Sequence, residues 1–328
     1  MVNTSNANPA GGKRLLGGTG LTVSRLGYGA MELSGPPRAR DLAEADAIRF
    51  INQVVDEGVN YIDTSIDYGL SETLIGKALA HRRDDFFLAS KCACQAGLEP
   101  HAHGEKHTFT GENVIAGVEQ SLRRLKTDHL DVVQVHGNPT RKELEDGGVV
   151  DAMQKLKRDG KVRHIGISQR LPLLAEFVTA DYFTVIQVPY SPLQRTNEDV
   201  IAALKQAGKA VVARGVTGRG APAKDWATRP IGTRAGEVQE LWERAKLDEI
   251  LNGLSRLEFM IRFVLANPNI DVALAATTNP AHLKADIEIA NRGPLDAATF
   301  KAACERLDAA GGGAGQGKYA GGGPTPVL

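Results

Sequence analysis

One pattern recurs eight times along the chain, and it restricts the fold more than any other feature. Short unbroken apolar runs occupy residues 26–31 (LGYGAM), 59–63 (VNYID), 86–90 (FFLAS), 131–135 (DVVQV), 163–167 (RHIGI), 184–188 (TVIQV), 210–213 (AVVA) and 271–275 (DVALA). Runs of this length without polar alternation suit strands covered on both faces, as in a parallel sheet. Amphipathic segments separate them. Within residues 41–57, Ile48, Ile51 and Val55 recur at helical spacing, and Gly58 follows as a stop. Within residues 111–126, Val114, Val118, Leu122 and Leu125 form one apolar stripe. Repeated strand–helix units of this kind predict a (β/α)8 TIM barrel. The competing architecture is a doubly wound open sheet, which needs a GxGxxG turn after its first strand; this chain has none there.

The pattern also has additions. Residues 13–29 (KRLLGGTGLTVSRLGYG) hold two short runs split by GGTG, which predicts an N-terminal β-hairpin. After strand 7 the connection from Arg214 to about Ser255 is too long for a simple loop. It contains a helical pattern at 236–253 (GEVQELWERAKLDEILNG). The expected organisation is a flexible segment at 1–12, a single barrel domain at 13–310 and a glycine-rich tail at 311–328.

Charge and cysteine content exclude several classes. With 39 basic and 39 acidic side chains, the chain has no bulk charge for gripping nucleic acid or an anionic membrane surface. No apolar run reaches the length of a membrane span, and the polar start MVNTSNANPAGGKR is not a secretory signal. Three cysteines do not make a disulfide framework, so a cytoplasmic location is expected.

In a barrel of this type the chemistry sits at the C-terminal ends of the strands. The second run ends at Asp63, with Tyr68 in the loop beyond; the third leads to Lys91 and the fourth to His136. The fifth leads to Ser168 and Gln169, the sixth carries Gln187, the seventh ends at Arg214, and the eighth leads to Thr277 and Thr278. A phenol with a pKa of about 10 is a poor acid at neutral pH unless a nearby ammonium stabilises its phenolate. A carboxylate holds such an ammonium in place, and an imidazole beside the phenol can orient a carbonyl oxygen. Asp63, Lys91, Tyr68 and His136 form such a set, suited to protonating a carbonyl oxygen as hydride reaches its carbon.

GVNYIDTSIDYGLSETLIGKAL (58–79), the lysine of FFLASK, the histidine of SLRRLKTDHLDVVQVH, GKVRHIGIS and IQVPYSPL resemble the aldo-keto reductase superfamily, over almost the whole body. By that resemblance Tyr68 is the general acid, Lys91 tunes it, Asp63 holds Lys91 and His136 binds the carbonyl. Ser168, Gln169 and Gln187 match the positions that hold the nicotinamide carboxamide, with Gln169 where the family commonly has asparagine. Arg214 stands where many members stack an aromatic ring on the nicotinamide, and a planar guanidinium can also stack. Gly215 to Gly220, including Gly218 and Arg219, match the segment that wraps the pyrophosphate.

Residues 275–291 match the adenosine-phosphate segment, with Thr277, Thr278 and Asn279 at the start of a helix. His282 and Ala276 replace cations that NADPH-preferring members carry, and Asp286 replaces the usual adenine-binding asparagine. Family habit implies NADP(H), and the lost cations imply a relaxed or NAD(H)-leaning preference. The implied activity is interconversion of aldehydes or ketones and alcohols, with a small-molecule carbonyl or alcohol as partner. Two other classes stay open: a non-catalytic NAD(P)H-binding regulatory or sensor module, and a lyase using Lys91 as a Schiff base.

Cys92, Cys94, His101, His103 and His107 lie close together in KCACQAGLEPHAHGEKH, but Cys-x-Cys is not the spacing of a structural zinc site. The segment is read as a loop at the substrate mouth, with no metal. Tyr28, Trp226 and Trp242 are candidate pocket walls, Asp67 a turn or capping residue, and Arg123 and Arg124 a solvated helix face. With aromatics at 5%, a small or sugar-like carbonyl fits as well as a flat apolar one. Nothing in the sequence signals an oligomeric state.

Overall fold

The computed structural model describes residues 8–36, 38–97, 107–217 and 235–315. Ten strands are present among them. Strands β1 (Lys13–Leu15) and β2 (Thr22–Ser24) form the antiparallel hairpin. Strands β3 (Leu26–Gly29), β4 (Tyr61–Asp63), β5 (Phe87–Cys92), β6 (Leu130–Val135), β7 (Val162–Ser168), β8 (Val185–Pro189), β9 (Ala210–Arg214) and β10 (Val272–Ala275) close into a parallel barrel. Closure comes from β10 pairing with β3, Ala273 opposite Leu26. The eight apolar runs are these eight barrel strands.

The helices follow from the same patterning. They are α1 (Glu44–Asp56), α2 (Ser71–Leu79), α3 (Gly111–Leu125), α4 (Arg141–Asp146), α5 (Val149–Arg158), α6 (Glu198–Gln206), α7 (Ala235–Arg244), α8 (Arg256–Ala266), α9 (Pro280–Asn291) and α10 (Ala297–Ala309). In α1 the inward face is Ala47, Phe50, Ile51, Val54 and Val55, with Ile48 at its margin. Each of the larger side chains, Phe50, Ile51, Val54 and Val55, contributes about 1.5–3 kcal/mol on leaving water. Gly58 ends the α1 segment at φ +89°, where a Cβ would sit 2.3 Å from the Asn8 carbonyl oxygen.

Two connections differ from the periodic expectation. Between β7 and β8 there is only a 3-10 turn at Leu173–Phe177. In the long segment before α8, α7 stops at Arg244 rather than continuing to 253, because Lys246 takes a left-handed conformation (φ 49°). Only a 3-10 turn at Leu247–Ile250 follows.

The hairpin seals the barrel's N-terminal end. Leu16 and Val23 pack with Tyr61, Phe87, Val132, Val212 and Val272 in a second apolar cluster inside the ring. Two buried carboxylates tie strand entries together. Asp131 accepts from Arg83, Arg163 and the Leu88 amide, and Asp271 accepts from Lys205, Arg14 and the Val211 amide. With one end filled by the hairpin, the C-terminal mouth is left for chemistry. Ala10, in the segment read as a lead-in, is fully buried, and its N–H donates to the Gly58 carbonyl. Residues 1–7 and 316–328, most of the expected lead-in and tail, lie outside the described residues.

Candidate active site

Barrel closure brings the ends of β4, β5, β6 and β8 around one buried carboxylate. Lys91 Nζ donates to Asp63 Oδ1 at 2.6 Å and to the Thr64 carbonyl at 2.8 Å. The other carboxylate oxygen, Asp63 Oδ2, accepts from Gln134 Nε2 (3.0 Å) and Gln187 Nε2 (2.8 Å). Ser168 Oγ then donates to Gln187 Oε1 at 2.9 Å. All of these side chains are buried, so the charges are compensated by partners rather than by water.

Tyr68 lies over this network. Its ring is flanked by two cations, Lys91 Nζ at 4.8 Å and the Arg38 guanidinium at 5.0 Å from the centroid. Its edge meets the His136 ring, with centroids 6.4 Å apart. Burial pushes the Tyr68 hydroxyl above its ordinary pKa, and Lys91 pulls it back. The Lys91 ammonium stays protonated: burial opposes the charge, but Asp63 and Tyr68 outweigh it. For His136 burial wins over the nearby Asp67 carboxylate and drives its pKa to about 3, so the ring is neutral. The predicted tetrad therefore converges at the mouth.

The Asp-Thr-x-x-x-Tyr-Gly-x-Ser-Glu block is explained by this geometry. Thr64 and Ser71 share a 2.8 Å hydrogen bond, and Ser71 also donates to the Ala30 carbonyl, which pins the β4–α2 loop that carries Tyr68. Glu72 is buried, accepts from Ser90 Oγ (2.7 Å) and pairs with Arg124 at 3.7 Å. Arg124 also donates to the Ile66 carbonyl at 3.0 Å. Arg124 is thus a clamp on the loop and not part of a solvated face.

Several site residues escaped the sequence reading. Gln134 sits two residues before His136 on β6, and strand alternation turns both to one side; that polar residue in an apolar run was the available signal. Asp67, read as a turn residue, accepts from Ser65 Oγ and lies 3.6 Å from His136 Nδ1 and 3.7 Å from Arg38. Arg38 had no signal, since it lies in an irregular stretch after β3.

The predicted nucleotide contacts divide. Ser168 and Gln187 are in the network, and Arg214 ends β9, where its carbonyl accepts from the Tyr190 N–H while its guanidinium has no hydrogen bond or ion pair among the described residues. Gln169 is turned away: its amide donates to the Pro139 carbonyl (3.1 Å) and accepts from the Arg170 N–H (2.9 Å). Gly215 takes φ 70° just past β9, and Gly218 and Arg219 lie outside the described residues. Asn279 caps α9 by accepting from the Ala281 amide, and its own N–H donates to Thr277 Oγ1. Thr278 is half-buried and His282 is exposed on the first turn of α9. Asp286, one turn further on, is buried without a hydrogen-bond partner among the described residues, and burial lifts its pKa to about 7. Of the proposed pocket walls, Tyr28 is buried and donates to the Thr277 carbonyl. Trp242 packs edge-on to Phe259 in the core, and Trp226 lies outside the described residues.

Barrel and mouth together define the class, a (β/α)8 oxidoreductase. The aldo/keto reductase family profile matches residues 25–308, and the chain belongs to that family, whose members carry out NAD(P)H-dependent oxidoreduction. It is 27% identical to the uncharacterized oxidoreductase YqkF of Bacillus subtilis, over 88% of this chain and 94% of that one. It is 37% identical to L-galactose dehydrogenase of Arabidopsis thaliana over 175 residues, 49% of either chain. Among solved structures, the holo form of aldo-keto reductase AKR11C1 from Bacillus halodurans superposes with a TM-score of 0.77 at 29% identity. That match covers 90% of this chain and 95% of that one. No helix among the described residues is long and apolar enough to cross a membrane.

The described residues fit a nicotinamide dinucleotide. The Arg214 guanidinium has no partner among the described residues, and β9 that carries it pairs with β8, the strand of Gln187. The α9 N-terminus presents Thr277, Thr278 and Asn279, and the carboxyl of Asp286 on the next turn has no hydrogen-bond partner among the described residues.

Proposed function

We propose that the protein interconverts aldehydes or ketones and alcohols, with Tyr68 as general acid and base. The observation that carries this reading is the Tyr68 ring held between Lys91 and Arg38, with neutral His136 at its edge. Bound NAD(P)H would supply the hydride. Tyr68 gives its phenolic proton to the carbonyl oxygen as charge develops there, and Lys91 stabilises the phenolate left behind. Asp63 keeps Lys91 in place, Gln134 and Gln187 keep Asp63 in place, and His136 orients the oxygen. In the reverse direction the phenolate takes the alcohol proton.

Ser168, Gln187 and Arg214 would hold the nicotinamide; Gly215, Gly218 and Arg219 the pyrophosphate; and Thr277, Thr278, Asn279, His282 and Asp286 the adenosine end. The absence of a cation at Ala276 and His282 favours relaxed or NADH-leaning use. A mouth lined by Arg38, Asp67, His107 and Arg214 suits a small, hydroxylated carbonyl more than an apolar one. The likeness to an L-galactose dehydrogenase over half the chain points the same way.

The test is Tyr68→Phe. It should abolish reduction of a panel of aldehydes and keto-sugars while nucleotide binding, read by fluorescence, is unchanged. Wild-type turnover in that variant would overturn the role of Tyr68. Tight nucleotide binding by the wild type, with no turnover on any carbonyl, would favour a regulatory module instead.

A further inference from the structure

Beside the tetrad, and sharing His136 with it, lies a second cluster whose other members, Cys94 and His107, have no part in the proposed reaction. Ala93 takes the left-handed region (φ 69°), unusual for a side chain with a Cβ, directly between Cys92 and Cys94. Cys92 stays in the main core, whereas the Cys94 thiol lies at the barrel mouth, with Sγ 3.2 Å from His136 Nδ1. The chain then returns so that His107 forms a β-bridge with Cys94, and the Thr108 amide donates to the Ala93 carbonyl at 2.7 Å. Asn113 Nδ2 donates to the Cys94 carbonyl at 3.0 Å, which fixes the thiol's backbone.

The His107 ring is equally constrained. It stacks on Phe109, meets His136 edge-on at 5.2 Å, and lies against Gly137, where a Cβ would come 3.0 Å from the ring. A hydrogen bond between Cys94 and His136 accounts for those two groups. It does not account for His107 Nε2, which is buried and has no partner among the described residues.

One donor atom from each of Cys94, His107 and His136 lies within 4.8 Å of the other two. In a tetrahedral site, zinc–sulfur and zinc–nitrogen bonds place such donors about 3.3–3.6 Å apart. Adjustments of up to about 1.2–1.5 Å would therefore close the set. We propose that Cys94, His107 and His136 form a site for a thiophilic divalent cation of the zinc class, with its fourth position open to the substrate mouth. The proposal departs from the reading of the Cys92–His107 segment as a metal-free loop: its third donor, His136, lies just past β6, outside the Cys-x-Cys pattern.

One thiol sulfur and two imidazole nitrogens are a donor set that zinc accepts. Asp67 offers compensating negative charge at 3.6 Å from His136 Nδ1. The neighbouring cations oppose a metal less than their number suggests, since Lys91 is paired with Asp63 and Arg38 with Asp67. Arg214 is the cation that opposes it without such a pairing. Soft sulfur and imidazole donors select zinc over magnesium or calcium.

The experiment uses the full chain without a histidine tag, stripped with chelator and titrated with cobalt(II) alone. The expected result is one equivalent bound, with a thiolate-to-cobalt absorption band and tetrahedral d–d bands. Zinc should displace both. Cys94→Ser should lose the thiolate band, and His107→Gln should weaken binding by at least tenfold. His107→Gln keeps the question answerable if Cys94→Ser does not fold. No thiolate band in the wild type, or an unchanged one in both variants, would overturn the site. A second arm measures carbonyl reduction with and without zinc in each protein. Zinc should change the wild-type rate several-fold and leave the His107→Gln rate unaltered. That arm rests on the role proposed for His136 and the spectral arm does not, so the two can fail separately.

Discussion

Lys91 and Asp63 stand 2.6 Å apart at the ends of adjacent strands, and two amides hold the acid from its other side. Removing either partner therefore has unequal consequences. Lys91→Met leaves Asp63 with the Gln134 and Gln187 donors. Asp63→Asn leaves a buried ammonium facing neutral acceptors with no counter-charge, a loss of about 3–5 kcal/mol. Chemical denaturation should show Asp63→Asn as the less stable variant, and the reverse order would contradict the assigned network.

Lys91→Met should also move the pH profile of the reaction. The ammonium lowers the Tyr68 pKa, so its loss raises that pKa further. Alcohol oxidation needs the phenolate, so the rising limb of its pH profile should shift to higher pH. Turnover at neutral pH should drop by about 10²–10⁴. A lowered rate with an unmoved pH profile would argue against phenol tuning by Lys91.

The pH dependence follows from the shifts. Tyr68 is raised, so reduction should stay flat through neutrality and decline only above the ordinary tyrosine range, about pH 10. His136 is depressed to about 3, so the unfolded chain binds its proton first on acidification. Stability attached to this group is complete above its ordinary pKa of about 6.5 and is lost as pH falls towards 3. Urea midpoints measured from pH 7 to 4 should fall, and His136→Asn should shallow that slope.

Nucleotide preference is tested on α9. His282 is exposed on its first turn, near the helix N-terminus, where an added cation would favour a 2′-phosphate. His282→Arg should raise the NADPH-to-NADH ratio of kcat/KM by about tenfold, corresponding to one charge-assisted hydrogen bond of about 1.5 kcal/mol. A wild-type enzyme already strongly selective for NADPH would refute the NADH lean.

A packing prediction concerns the scaffold of the site. Gly76 lets α2 approach α3 so closely that a Cβ there would sit 2.2 Å from the Arg124 carbonyl oxygen. Gly76→Ala should cost about 1–3 kcal/mol and loosen the Arg124 clamp on the Tyr68 loop. Thermal denaturation together with kcat would register both effects.

Much of this was readable along the chain. The eight apolar runs became eight barrel strands, and the hairpin formed where GGTG split two short runs. The four tetrad residues were legible because each follows a strand end, and strand ends share one face of a closed barrel. For Gln169 a matching position was legible in the sequence, whereas its hydrogen bond to the Pro139 carbonyl is visible only in the fold. Arg38 and Asp67 were missed because nothing local distinguishes them from ordinary loop residues.

Local periodicity determined which segments are strands and helices and which way each one faces, because burial of one face is a property of a few neighbouring residues. Tertiary structure alone decided what meets at the mouth. Gln187 and Asp63 are 124 positions apart, and Cys94 and His136 are 42 apart. Cys94 and His136 meet once β5 and β6 pair, whereas Gln187 reaches Asp63 only when the strands between them curl into the closed ring, since register and closure, not local pattern, bring strand ends within hydrogen-bond range.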